Sequence, residues 1–427
     1  VLMMYVRYRT VISYQANLEG FECNVVYSIQ RMLGGEKLYD NPEAPPFTIT
    51  QYMPLYYLIN YAIGKVLEIK SDDVISVFRL SRSVSLFFNV IMVIVVYILM
   101  KRFLGIRKSI SILGAVFSFI ILERHYFSRP DSLTIVFFFI SVIFFIKYLL
   151  SESEEEFNVR SDRYMGSAIF FSMLAVFSKQ SAIILPISML LYMFLFDNRR
   201  NLIWGIFFSV FFFCFFFLVV GLPDYKLFFD NVYKGVKNGV SLKWFYAIFY
   251  LHSFKRFLVF FIIAFGIIFL WLMNKNNLNR IKKFFVLIII STFSFAMLTG
   301  LKFGANVNYF TETIVLIIIT VGYFFKDVED YIPSINTKLK KCIILCFFII
   351  FILPYYFLPR FFDCMYPFLY DKAYYDKMDK VKSYLIYKEK LNKGDYVLAY
   401  EWQIRWLENM LYKNIIFPQK DIIDCCA

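Results

Sequence analysis

Glu19 stands in the polar stretch Asn17-Leu-Glu-Gly-Phe-Glu22, where a carboxylate beside a glycine has room to approach a sugar hydroxyl and take its proton as a general base. Glu22, three residues on, shares a helix face with it and is a rival base, or an acid at a helix N-terminus. Both also read as ordinary solvated loop acids. Phe127-Ser-Arg-Pro-Asp-Ser-Leu133 carries a second set of groups. Pro130 stops a preceding helix and Asp131 caps the next, but capping leaves Arg129 unexplained; a guanidinium there can grip a phosphate through two parallel hydrogen bonds. In Ser178-Lys179-Gln180-Ser181, Lys179 either snorkels from a tight turn or faces a lipid phosphate. Residues 304–312 bring Asn306, Asn308 and Glu312, hydrogen-bond partners of the kind sugars take, with Tyr309 for stacking. Arg82 is one more cation at the end of an apolar run, with snorkelling as its alternative role. Tyr39, Tyr52, Tyr56 and Tyr57, around Pro54, read as an aromatic belt at a membrane surface.

What must position these groups is almost entirely apolar. Of 427 residues, 60% are hydrophobic and 21% aromatic, and only 18% are charged, where a soluble domain carries about a quarter. A cytosolic enzyme, a disordered chain and a fibre are excluded. The composition is that of an all-α polytopic membrane protein. Its formal charge of +14 does not point to nucleic acid, because most Lys and Arg sit at the ends of apolar runs, where they set topology and meet anionic headgroups. Seven Cys without CxxC spacing and only two His, His125 and His252, predict no metal site and no cofactor.

A helical span needs about 20 apolar residues. Candidates are 82–101, 108–123, 131–149, 164–178, 181–197, 201–221, 255–273, 283–300, 309–326 and 340–358. With Val1–Val6, which reads as the remnant of a truncated first span, they make about eleven helices. Residues 1–358 then form a transmembrane domain and 359–427 a small, more polar external segment, with a short strand near Tyr396–Tyr400. Residues 7–81 form a long first external loop holding two helices, Phe21–Leu33, stopped by Gly34-Gly35, and an amphipathic Pro54–Ile69 in the interface. One set of connectors concentrates Lys and Arg: Lys101 to Lys108, Lys147 to Arg163, Arg199-Arg200, Lys275 to Lys283 and Lys326 to Lys341. That set is predicted to be cytoplasmic. Every chemistry-bearing segment named above then falls outside, while the spans themselves hold almost no charge. This pattern suits a reaction at the outer surface better than transport, which usually needs ionisable groups near the midplane.

Taken in order, the motifs resemble the GT-C superfamily of integral-membrane glycosyltransferases, in particular bacterial relatives of protein O-mannosyltransferases and lipid A aminoarabinose transferases. The matching pattern is Glu19-Gly20, Gly34–Asp40 (GGEKLYD), Gln51–Leu58 (QYMPLYYL), Arg82 with Ser85, Ser128–Leu133 (SRPDSL), Ser178–Gln180 (SKQ) and Asn308–Glu312 (NYFTE), over residues 10–325. The resemblance implies a GT-C-like bundle with an extracytoplasmic site and an essential acid in the first external loop. It further implies a sugar donor on polyprenyl phosphate and a lipid, glycan or protein acceptor. On that reading Glu19 is the catalytic base, with Glu22 as its rival, in an inverting displacement. Arg129 and Lys179 neutralise the leaving phosphate. Asp131, Gln180, Asn308, Tyr309 and Glu312 bind sugars, and Arg82 is a weaker phosphate ligand. Many members carry Asp where this chain has Glu19, and the DxD of metal-dependent relatives is missing, so no obligatory metal is expected. The competing expectations are a non-enzymatic translocator of lipid-linked saccharide or polysaccharide, and a silent scaffold.

Overall fold

Within a bilayer every backbone N–H and C=O must be satisfied inside its own segment, so long apolar runs become helices. The computed structural model describes residues 2–13, 22–44, 48–122, 126–151, 159–197, 199–219, 225–237, 239–246, 254–274, 278–303 and 307–331, with a few isolated positions besides. Their helices are α1 (Leu2–Ile12), α2 (Glu22–Leu33), α3 (Leu55–Val66), α4 (Val74–Ile98), α5 (Lys108–Ile121), α6 (Asp131–Ser151) and α7 (Val159–Ser178). They continue with α8 (Ile184–Phe196), α9 (Arg199–Val219), α10 (Tyr225–Phe229), α11 (Leu242–Trp244), α12 (Lys255–Met273), α13 (Arg280–Gly300) and α14 (Thr311–Tyr331). Among the described residues the only β pairing is an isolated bridge between Val240 and Lys302. Among the described residues five helical stretches are long and apolar enough to cross a membrane: Val74–Phe103, Asp131–Ser151, Arg199–Leu218, Arg280–Gly300 and Asn308–Val328. Lys108–Ile121, Gln180–Phe196 and Phe257–Met273 are shorter apolar helices. The predicted span 340–358, the tail and its strand lie outside the described residues.

The bundle is built on α6, which packs along α7 and α4; α5 lies on α4, α9 on α7, α8 on α13, and α12 and α13 on α14. Its core is aromatic, with Phe138, Phe139, Phe145 and Phe284 fully buried. The rings of Phe144 and Phe171 stack at 5.4 Å between α6 and α7. At the end where α13 begins and α14 finishes, Lys282 lies 2.9 Å from Asp327. Trp271 donates to the same Asp327 carboxylate, and Lys326 donates to Leu104 O. This is the end at which the described Lys- and Arg-rich connectors meet.

Two expectations are corrected here. The second span begins at Val74 and not near residue 82, because Asp73 caps it: its carboxylate accepts from Ser76 N at 3.1 Å and from Ser76 Oγ at 2.6 Å. Arg82 therefore sits two turns inside a helix, fully buried, and does not snorkel. Together with Arg7, also buried, it shows that charge near the span ends is drawn into the bundle. The tyrosine belt is the second. Tyr56 and Tyr57 are buried, since α2 and α3 fold back on α4 and offer those rings protein contacts around Val26, Ile29, Val77 and Phe78, and Tyr39 is buried in a second cluster with Met53, Phe177 and Val232. Helices α2 and α3 themselves form as expected, with Gly35 at φ +84° ending α2 in the left-handed region.

The segment after α10 straps the first loop down. Asn231, fully buried, accepts from Thr50 N (2.9 Å) and donates to Asp40 O (2.6 Å) and Leu227 O (2.9 Å). Gly235 closes that turn with no room for a side chain. A Cβ there would lie 2.9 Å from Asn231 O and from Ile49 Cγ2, and 3.1 Å from Asp230 O. Because two of these atoms are backbone, Gly235→Ala should cost about 1–3 kcal/mol. A lower unfolding temperature of the detergent-solubilised protein is the expected result.

Candidate functional site

Helix α7 stops at Ser178, and Lys179 turns into an extended conformation (φ −150°, ψ 126°) before a short 3-10 turn leads into α8. That break swings Lys179 towards the first turn of α6. Its Nζ lies 2.6 Å from Asp131 Oδ1, with both side chains almost wholly shielded. Asn308, just before α14, donates to the same Asp131 oxygen at 3.3 Å. The Tyr309 ring faces Lys179, centroid 5.7 Å from Nζ. Glu312, one turn further on, is within electrostatic reach of Lys179. Burial on its own lowers the proton affinity of the Lys179 amine. The carboxylates of Asp131 and Glu312, with Tyr52, more than offset this, so its pKa is raised and the amine stays cationic at neutral pH.

The first loop supplies the facing wall. Gln180 Nε2 donates to Gln51 O at 2.9 Å, while its Oε1 is buried without a hydrogen-bond partner. Tyr52 follows; burial pushes its hydroxyl up, and Arg129, Asp131, Lys179 and Tyr309 all act on it electrostatically. Sequence positions 51–52, 129–131, 179–180 and 308–312 are thus one cluster at the bundle end opposite the Lys282–Asp327 pair. Of the residues singled out in the sequence, Arg129, Asp131, Lys179, Gln180, Asn308, Tyr309 and Glu312 come together. Gln51 and Tyr52 join them, two positions to which the sequence alone gives no site role. The Pro54 beside them, which ends an extended segment at the start of α3, was the available signal.

Glu22 and Arg82 form a second buried pair. Arg82 Nε and Nη2 donate to Glu22 Oε1 (3.0 Å) and Oε2 (2.8 Å), and both side chains are fully buried. Ser128 N donates to Glu22 Oε1 as well, at 2.8 Å. Glu22 is therefore engaged by an ion pair and a backbone amide, and Arg82 by a carboxylate. Glu19 and Asn306 lie outside the described residues.

No protein-family model matches the chain, and neither does any curated protein. Solved structures do. The archaeal oligosaccharyltransferase AglB from Archaeoglobus fulgidus, in complex with an inhibitory peptide and a dolichol-phosphate, aligns with TM-score 0.60 at 12% identity, over 99% of this chain and 64% of that one. An Archaeoglobus fulgidus oligosaccharyltransferase tethered to an acceptor peptide containing the NVT sequon gives 0.61 at 11% identity, over 98% and 63%. ArnT from Cupriavidus metallidurans bound to undecaprenyl phosphate gives 0.51 at 12% identity, over 76% and 59%. The chain has a GT-C-like fold. It spans less than two thirds of the length of each of these structures, so the likeness is one of architecture. Within this bundle Asp131 opens α6, Lys179 joins α7 to the turn before α8, and Asn308 immediately precedes α14.

Proposed function

We propose that the chain is a membrane glycosyltransferase that moves a sugar from a polyprenyl-phosphate donor to an acceptor on the extracytoplasmic side. The observation that carries this is the buried Lys179–Asp131 pair, gathered with Arg129, Asn308 and Glu312 at one end of a GT-C-like bundle. That the opposite end carries the Lys- and Arg-rich connectors supports an external site. Undecaprenyl phosphate and dolichol-phosphate on the structural neighbours support the donor class.

In this mechanism Glu19 takes the proton of the acceptor hydroxyl. The acceptor oxygen attacks the anomeric carbon from the face opposite the phosphate, forming one C–O bond as the other breaks with inversion. The bonding pair leaves on the polyprenyl phosphate. Lys179 and Arg129 stabilise the charge that grows there, the kind of preorganised electrostatics that gives enzymes much of their rate. Asp131, Asn308 and Glu312 have the hydrogen-bonding capacity to hold sugar hydroxyls, with Gln180 Oε1 as a further buried acceptor and the Tyr309 ring as a stacking surface. Because Glu22 is held by Arg82 and Ser128 N, Glu19 is the acid assigned the base role in this reading. The acceptor is a lipid, a glycan or a protein.

The test uses a host strain lacking the protein, its lipid-linked sugars compared by mass spectrometry after restoring wild type or Glu19→Gln. Accumulation of one polyprenyl-phosphate sugar that wild type clears and Glu19→Gln does not is expected. Equal clearance by both would remove Glu19 from the mechanism. If no lipid-linked sugar changes at all, the transferase reading fails and a translocator or scaffold takes its place.

A further inference from the structure

Arg82, Ser85 and Asn89 recur at i, i+3 and i+7, which puts them on one face of α4. All three are fully buried in a helix whose other buried positions are mostly apolar. Each reaches the turn that joins α5 to α6. Arg82 holds Glu22, and Glu22 Oε1 accepts from Ser128 N at 2.8 Å. Ser85 Oγ donates to Arg129 O at 3.0 Å. Asn89 Nδ2 lies 3.4 Å from both Leu122 O and Ser132 Oγ. Two outer groups hold the stripe in turn. Tyr56 OH donates to Ser81 O at 2.9 Å and contacts Ser85 Oγ at 2.7 Å; burial pushes this hydroxyl up to about 12, above the pull of its serine partners, so it remains a donor. Arg7 donates to Asn89 Oδ1 at 2.5 Å and to Phe119 O at 2.7 Å, with its guanidinium 3.8 Å above the Phe119 ring.

We infer that this polar face of α4, with Glu22, is a positioning frame that fixes the backbone of residues 128–132, so that Arg129 and Asp131 are held towards Lys179. Buried polar groups at this density are costly unless they are mutually satisfied. Here they terminate on the main chain of the one turn that supplies two site residues. Glu22 is thereby a positioning residue and not the base. The inference about the frame stands on the contacts alone; its consequence for catalysis rests on the reading of the site as a lipid-phosphate transferase.

The experiment uses the full chain in detergent, with undecaprenyl phosphate as the probe. Glu22→Gln keeps an oxygen for Ser128 N–H. The double variant Glu22→Met with Arg82→Met fills the space but removes that acceptor, and replacing both members of a buried pair together is often tolerated. In the double variant, amide exchange in a peptide covering 126–132 should rise about tenfold or more, as expected for loss of a buried charge-assisted hydrogen bond. The Kd for undecaprenyl phosphate should rise by a similar factor. Glu22→Gln on an Arg82→Met background keeps the acceptor without stranding a buried charge, so it should stay within about threefold on both and keep the acid limb of the pH–rate profile in place. Ser85→Ala, a milder change that frees Arg129 O, should give a few-fold rise and decides the matter if the double variant does not fold. Unchanged exchange and Kd in the folded double variant would overturn the frame. Loss of transfer in Glu22→Gln on that background, together with the acid limb, would make Glu22 the base after all. If wild type binds no undecaprenyl phosphate the transferase reading fails, and the exchange data alone judge the frame.

Discussion

Lys179→Met should abolish sugar transfer while the protein still reaches the membrane. Two effects add. The amine is the buried cation nearest the other site groups, and removal of one preorganised charge-stabilising donor typically slows the chemical step by about 100- to 1000-fold. The second effect is on the ground state. Asp131 loses its partner at 2.6 Å in a site where the two side chains are 4% and 9% exposed, which should cost about 3 kcal/mol of stability. The two are separable. Adding Asp131→Asn to Lys179→Met removes the stranded carboxylate and should restore most of the unfolding temperature without restoring transfer. Lys179→Arg keeps the charge but replaces a compact ammonium by a planar fork, so partial activity is expected. The readout is the amount of lipid-linked sugar left in the host, set beside the melting temperature of the purified chain. Recovery of transfer in the double variant would make the pair a structural element only.

The largest stability effect belongs to Arg82→Met. Its partner Glu22 is fully buried and has no route to water, so removing the guanidinium leaves a carboxylate that must be neutralised or unfold its surroundings. Breaking a buried pair from one side costs about 3–5 kcal/mol, a large share of the stability of an ordinary domain. Because the same carboxylate accepts from Ser128 N, the loss should also loosen the turn ahead of α6. Glu22→Gln on the Arg82→Met background removes the charge while leaving an acceptor, and should recover more than half of the loss. A melting temperature for Arg82→Met equal to that of wild type would mean that the pair contributes nothing net.

These two pairs show where reading the residues reaches its limit. The apolar runs dictated the helices, because a backbone away from water has no other way to satisfy its polar groups, and nine of the ten predicted spans fall on described helices. Connector parity then put Arg129, Asp131, Lys179, Asn308 and Glu312 at one end of the bundle, and they meet there. The start of α4 differs from the expected one because the cap at Asp73 adds two turns that an apolar window excludes, which makes Arg82 an interior residue and not an end residue. The polar stripe Arg82, Ser85 and Asn89 was in the sequence at helical spacing, but the first of the three looked like a terminal cation and the other two are small or neutral.

What the sequence by itself determined is the all-helical membrane architecture, the set of groups at one end of it, and the resemblance that the bundle bears out. Only the tertiary structure decided who pairs with whom. Lys179 meets Asp131 across 48 residues and Arg82 meets Glu22 across 60. Each meeting depends on the relative height and rotation of two helices, where one residue of slip moves a side chain about 1.5 Å along the axis and about 100° around it. That register is set by the packing of the rings between α6, α7 and α4, a sum of many small contacts that no single stretch of sequence contains.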